Sequence, residues 1–105
     1  MTKAKTADFT QSEIQLSEIA KAISHPARIR ILNILFENNI CITGDIVDRL
    51  PLSQSTVSQH LNELKKVGLI KGEIEGPKTC YCLNNSVNES AKKLLTNLFS
   101  KICNC

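Results

Sequence analysis

Ser53-Gln54-Ser55-Thr56-Val57-Ser58-Gln59-His60-Leu61-Asn62-Glu63-Leu64-Lys65-Lys66-Val67-Gly68-Leu69 is the stretch whose reading decides the fold. Val57, Leu61 and Leu64 stand at i, i+4 and i+7, which draws one apolar stripe along a helix. Gln54, Ser55, Ser58 and Gln59 point away from that stripe. Short amides and hydroxyls on the leading turns of a helix suit the base edges and phosphates of a DNA major groove. A plain solvated polar face is the alternative, and the flanking sequence separates the two.

Upstream, residues 45–50 carry Ile46, Val47 and Leu50 on a short helix that Pro51 stops, and Ser53 caps the helix that follows. Two such helices joined by a tight turn make a helix-turn-helix, with the second as recognition helix. Before them, Ile40, Cys41 and Ile42 form a short β-type run with Thr43 as a helix cap. Pro26 opens a helix running to Glu37, at a position where its missing N–H costs nothing. Ile29, Ile31, Leu32, Ile34, Leu35 and Phe36 make it apolar around most of its circumference, so it is expected to be the central buried helix. Arg28 and Arg30 are expected on its remaining exposed side. Ser12 to Ser24 reads as a first helix with Leu16, Ile19, Ala20 and Ile23 on one face, preceded by a flexible leader over residues 1–11.

Downstream, Val67-Gly68 ends the recognition helix, with Gly68 where a left-handed conformation is wanted. Residues 69–75 and 78–84 read as strands around Gly76-Pro77, and a hairpin directly after a helix-turn-helix is a wing. In the second strand Thr79, Tyr81 and Leu83 face one way and Cys80 and Cys82 the other. Residues 87–102 give a last helix striped by Ala91, Leu94, Leu95, Leu98, Phe99 and Ile102, too apolar for a terminal helix exposed to water. That stripe is expected to be a dimer surface shared with the first helix. A cysteine-containing tail, residues 103–105, follows. The fold class is mainly α with a small β-hairpin wing: a winged helix-turn-helix domain over residues 12–102, forming a homodimer through its N- and C-terminal helices.

The length, 105 residues, suits one domain, and 42% hydrophobic residues suffice for a core built mostly without aromatics. A net charge of +3, doubled in a dimer, favours phosphate contacts without proving them. No apolar run approaches a bilayer span and no signal-peptide pattern opens the chain, so a cytoplasmic location is expected. Five cysteines, an odd count in such a chain, read as free thiols, soft-metal ligands or redox sensors rather than a disulfide framework. Nothing pairs a nucleophile with a base or cradles phosphate in a glycine loop, so no enzyme and no obligatory cofactor are expected.

With the elements in this order, the chain resembles the ArsR/SmtB winged-helix transcriptional repressors over roughly residues 14–102. Ser24-His25-Pro26-Ala27-Arg28-Ile29-Arg30-Ile31-Leu32 is similar to the opening of that family's second helix, and residues 52–61 to its recognition helix. Val67-Gly68-Leu69-Ile70 resembles the start of its wing and Tyr81-Cys82-Leu83-Asn84 the return strand. The resemblance implies a homodimer that binds a palindromic double-stranded DNA operator and lets go when an effector binds. It makes Gln54, Ser55, Ser58 and Gln59 the base or phosphate contacts, with Thr56 and His60 as further candidates. For His60 a partly buried structural role stands equally open. Lys65 and Lys66 fit a solvated helix end better than phosphate contacts. The wing offers Gly76-Pro77-Lys78 where the family commonly has Gly-Arg, leaving Lys78 to meet the DNA backbone.

The resemblance also restricts what is sensed. A zinc or nickel site on the last helix needs histidines and carboxylates there. This chain has no histidine after His60, and Glu89 is its one acidic residue beyond Glu75. The arsenic-responsive box with its Cys-Val-Cys is reduced to Asn39-Ile40-Cys41-Ile42-Thr43-Gly44, leaving Cys41 as a small core residue. Two Cys-x-Cys pairs remain, Cys80/Cys82 and Cys103/Cys105. A last helix about 24 Å long separates them within one subunit. A thiolate site of Cys80 and Cys82 with Cys103 or Cys105, within or between subunits, is therefore expected. Three thiolates suit As(III) or Sb(III), and four suit Zn(II) or Cd(II). Lead, an organoarsenical and thiol oxidation stay open, as does a winged helix used only as a protein-interaction adaptor.

Overall fold

The computed structural model describes residues 8–38, 45–75 and 78–103. The Ile40–Ile42 run, the Thr43 cap and the Gly76-Pro77 turn lie outside these residues, as do Cys41 and Cys105. In chain order the elements are α1 (Gln11–Ala22), α2 (Pro26–Asn38), α3 (Asp45–Asp48), α4 (Gln54–Lys66), β1 (Ile70–Glu75), β2 (Lys78–Leu83) and α5 (Asn85–Ile102). They form the mainly helical winged helix-turn-helix that the periodicities predict.

Helix α1 starts earlier than its apolar pattern suggests. Thr10 accepts from the Glu13 N–H at 3.1 Å while the Glu13 carboxylate accepts from the Thr10 N–H at 2.9 Å. This reciprocal capping box draws residues 10 and 11 out of the expected flexible leader and into the cap and first turn. Ile19 and Ala22 are buried, but Ala20, expected beside Ile19, is exposed.

Helix α2 corrects a sequence expectation. It buries Ala27, Ile31, Ile34 and Leu35, yet Ile29 is 49% and Phe36 72% exposed. These two stand seven residues apart on one side. Within one chain α2 packs on α4 and β2 along one face and leaves the other open, so it is not buried all round. Arg28, expected on the open side, is half-buried toward α4.

Helix α3 puts Ile46 in the core and is followed by the buried Leu50. Ser53 caps α4 by accepting from the Thr56 N–H at 3.3 Å. Val57, Leu61 and Leu64 are all buried, as their spacing requires. At the other end Gly68 takes φ 82°. Its N–H bonds to the Lys65 carbonyl at 3.0 Å and the Leu69 N–H to the Leu64 carbonyl at 3.1 Å. This paired closure is a Schellman motif, and it turns the chain into the wing.

Strands β1 and β2 pair antiparallel, with Ile70 opposite Leu83, Gly72 opposite Tyr81 and Glu73 opposite Cys80. A Cβ on Gly72 would lie 3.2 Å from Lys65 Nζ and 3.4 Å from Thr79 and Tyr81 atoms. The face carrying Ile70, Gly72, Thr79, Tyr81 and Leu83 therefore meets α4, while Cys80 and Cys82 share the opposite face with Lys71 and Glu73. Helix α5 begins at Asn85, two residues before the expected start, and packs on α1. Ala91 is buried and Leu94 and Leu95 half-buried, whereas Leu98, Phe99 and Ile102 are exposed on the single chain. Among the described residues no helix is long and apolar enough to cross a membrane.

Candidate nucleic-acid interface and thiol pair

Helix α4 presents its polar residues as the heptad spacing predicts. Gln54, Ser55, Ser58 and Gln59 are all exposed. Asn62 continues the same row and is also exposed. It was not among the expected contacts, although it lies four residues beyond Ser58 and the 3.6-residue period reaches it. Thr56 is half-buried, and its hydroxyl lies 2.9 Å from Ser53 Oγ, so it serves the cap. Lys66 is paired with Glu63 at 3.0 Å, a solvated i,i+3 pair that holds the Glu63 carboxyl below its ordinary range. Lys78 is the first residue of β2, opposite Glu75.

His60 gives up the exposed position considered for it. Its ring is only 8% exposed. Nδ1 accepts a 3.0 Å hydrogen bond from Arg28 Nε, and the His25 ring lies 4.4 Å away between centroids. Burial first, then the charges of His25 and Arg28, lowers its pKa from the ordinary histidine value. Arg28 also reaches the end of α1, donating from Nη1 to the Ala22 carbonyl at 3.2 Å and the Lys21 carbonyl at 3.4 Å. No sequence pattern links Arg28 to His60, because the bond spans 32 residues.

The thiols divide by environment. Cys80 is 3% exposed, and burial, with Cys82 beside it, raises its thiol pKa. Cys82 is half-buried, and Cys103 is exposed at the end of α5. Alternation along β2 puts Cys80 and Cys82 on one face, as expected. Among the described residues no three His, Cys, Asp or Glu side chains are gathered to hold a metal ion. One chain therefore brings the wing pair together but does not join Cys103 to it.

Comparison with known proteins agrees with this architecture. The profile described as "Bacterial regulatory protein, arsR family" matches residues 25–71, from the start of α2 into the wing. An HTH-type transcriptional regulator of Methanocaldococcus jannaschii is 38% identical over 79 residues, covering 75% of this chain and 85% of the relative. The transcriptional repressor PagR of Bacillus anthracis is 35% identical over 79 residues, covering 75% of this chain and 79% of PagR. The solved structure of HlyU from Vibrio cholerae N16961 superposes with a TM-score of 0.67 at 30% identity, covering 88% of this chain and 99% of HlyU. The similarity runs through the helix-turn-helix and its wing rather than through one short motif, and these relatives are regulators, not enzymes. The chain belongs to the ArsR family of winged helix-turn-helix transcriptional regulators.

Proposed function

We propose that two copies of this chain repress transcription by holding a palindromic operator through the leading face of α4, and release it when a thiophilic ion binds cysteine thiolates. The observation that carries the reading is the exposed row Gln54, Ser55, Ser58 and Gln59, backed by a buried apolar row on the same helix. Glutamine amides can pair bidentately with adenine, and the serine hydroxyls with bases or phosphate. Two such helices related by a two-fold axis reach half-sites about one DNA turn apart. Lys78 meets the phosphate backbone from the wing.

The effector is As(III) or Sb(III), bound by Cys80 and Cys82 with Cys103 or Cys105 of the same or the second copy. Strand alternation supports the pair, and the third thiolate comes from the tail. A buried thiol with a raised pKa is poorly ionised, which slows attack on peroxide and disfavours simple oxidation as the signal. A soft ion still binds by displacing the thiol proton. Zn(II) or Cd(II) takes a fourth ligand beyond the three thiolates. Ion binding that draws the wing toward the dimer helices changes the spacing of the two recognition helices. A coupling of about 1–3 kcal/mol lowers operator affinity about 5–150-fold.

The test titrates the reduced protein on a selected duplex with arsenite, antimonite, cadmium, zinc and a peroxide. Cys80→Ser with Cys82→Ser is expected to keep DNA affinity and lose arsenite release, and truncation before Cys103 to weaken that release. Unchanged arsenite release in the double variant rules the wing pair out. Release by peroxide alone transfers the reading to oxidation.

A further inference from the structure

His60 follows Gln59 directly on α4, so whatever fixes its ring also fixes the rotation of the exposed row beside it. The Arg28 guanidinium does this from α2 while its Nη1 holds two carbonyls at the end of α1. Those carbonyls carry the partial negative charge of a helix C-terminus, which suits a cation. One side chain thus ties α1, α2 and α4 together. We propose that Arg28 is a positioning residue for DNA binding, seating the recognition helix through His60 and releasing it when His60 takes a proton. This rests on α4 being the helix that reads DNA.

The chemistry of the clasp is one-sided. Because Nδ1 accepts from Arg28 Nε, the single proton of neutral His60 is on Nε2. A second proton has to go to Nδ1, where a guanidinium N–H already points. Donor then faces donor and two positive charges share hydrogen-bond distance. His25 offers no escape, since its own Nδ1 already accepts from the Ala27 N–H at 3.0 Å.

The charged groups on the surrounding elements leave the balance positive. Lys21 of α1 stands on the Arg28 side, and the nearby carboxylate, Glu63 on α4 itself, is paired with Lys66. Asp48 and Arg49 at the end of α3 are exposed. Lys71 and Glu73 of β1 are exposed on the hairpin face that turns away from α4.

The lowered pKa of His60 sets the sign. Its folded value lies below the unfolded one, so the seat is complete above the ordinary histidine range and is lost as pH falls through the folded value. Each subunit must shed one proton to bind, so affinity falls up to about tenfold per pH unit per subunit in acid. Generic electrostatics runs the other way, because acidification adds positive charge and strengthens phosphate binding. An acid loss of affinity is therefore specific to the clasp.

The experiment follows fluorescence anisotropy of a labelled duplex, selected from a random pool by the wild-type protein. Measurements run from about pH 7.5 to about pH 5, bracketing the ordinary histidine value. His60→Asn places a non-titrating amide oxygen where Nδ1 was and is expected to bind at neutral pH and stay flat in acid. Arg28→Lys, which lacks the fork, is expected to lose about tenfold at neutral pH. His25→Asn keeps the acid loss. A flat wild-type profile, or the same acid loss in His60→Asn, overturns the proposal. If His60→Asn does not fold, the wild-type His60 ring titration followed by NMR must share its midpoint with the loss of affinity, and a mismatch overturns it equally. Binding that is flat in pH defeats this inference alone, whereas no binding at neutral pH defeats the recognition-helix reading with it.

Discussion

Leu64 and Gln59 occupy opposite sides of one helix, and truncating them should damage different properties. Leu64 is fully buried among the core residues, so Leu64→Ala loses transfer energy and leaves a cavity, at a cost of about 2–5 kcal/mol. Gln59 is exposed and its side chain makes no hydrogen bond among the described residues, so Gln59→Ala should leave stability within about 0.5 kcal/mol. If its amide reads a base, the same change costs about 1–3 kcal/mol of discrimination at one operator position. Urea unfolding beside binding to matched and mismatched duplexes separates the two, and a Gln59→Ala protein with full sequence preference would remove this side chain from the interface. Both orientations were legible because a 3.6-residue period needs only local spacing. For His60 the sequence left burial and DNA contact equally open, since the choice depends on Arg28 arriving from another helix, a tertiary fact with no periodic signature.

At the scale of elements, the join between α4 and the wing carries its own signal. Gly68 was readable as a left-handed helix stop because few other residues take φ 82° without strain. Gly68→Ala should cost about 1–2 kcal/mol for an L-residue in that conformation. Its Cβ meets Val87 at 3.4 Å, ordinary contact, so sterics add little. The expected result is a lower unfolding midpoint with unchanged sequence preference, since no α4 contact is altered. A midpoint equal to wild type shows that the Schellman closure is not holding the turn. Helix α2 marks the limit of such reading. Its composition revealed apolar residues nearly all round, but composition does not say which sides one chain covers, and Ile29 and Phe36 remain open. The wing thiols show the same division: alternation placed Cys80 and Cys82 on one face, while the burial of Cys80 depended on packing that strand spacing does not encode.

Considered whole, the single chain leaves an apolar surface that water does not favour. Phe99 and Ile102 near the end of α5 are 53% and 56% exposed, with Leu98 beside them and Phe9 exposed just ahead of α1. Scattered apolar residues on a surface are ordinary, but here they lie along the outer part of one helix whose inner part already packs on α1. A second copy is the partner that the proposed two-fold operator also calls for. Phe99→Asp with Ile102→Asp places carboxylates in that surface without touching a buried residue of the chain. The variant is expected to keep its helical circular dichroism and sediment as a monomer where the wild type sediments as a dimer. A monomer holds one half-site at a time and forfeits the effective concentration of its tethered twin, so operator affinity should fall by about 10²–10⁴-fold. Affinity for a single half-site should change little, because α4 is intact. A doubly substituted protein that still sediments as a dimer moves the interface elsewhere, with the open face of α2 as the next surface to probe.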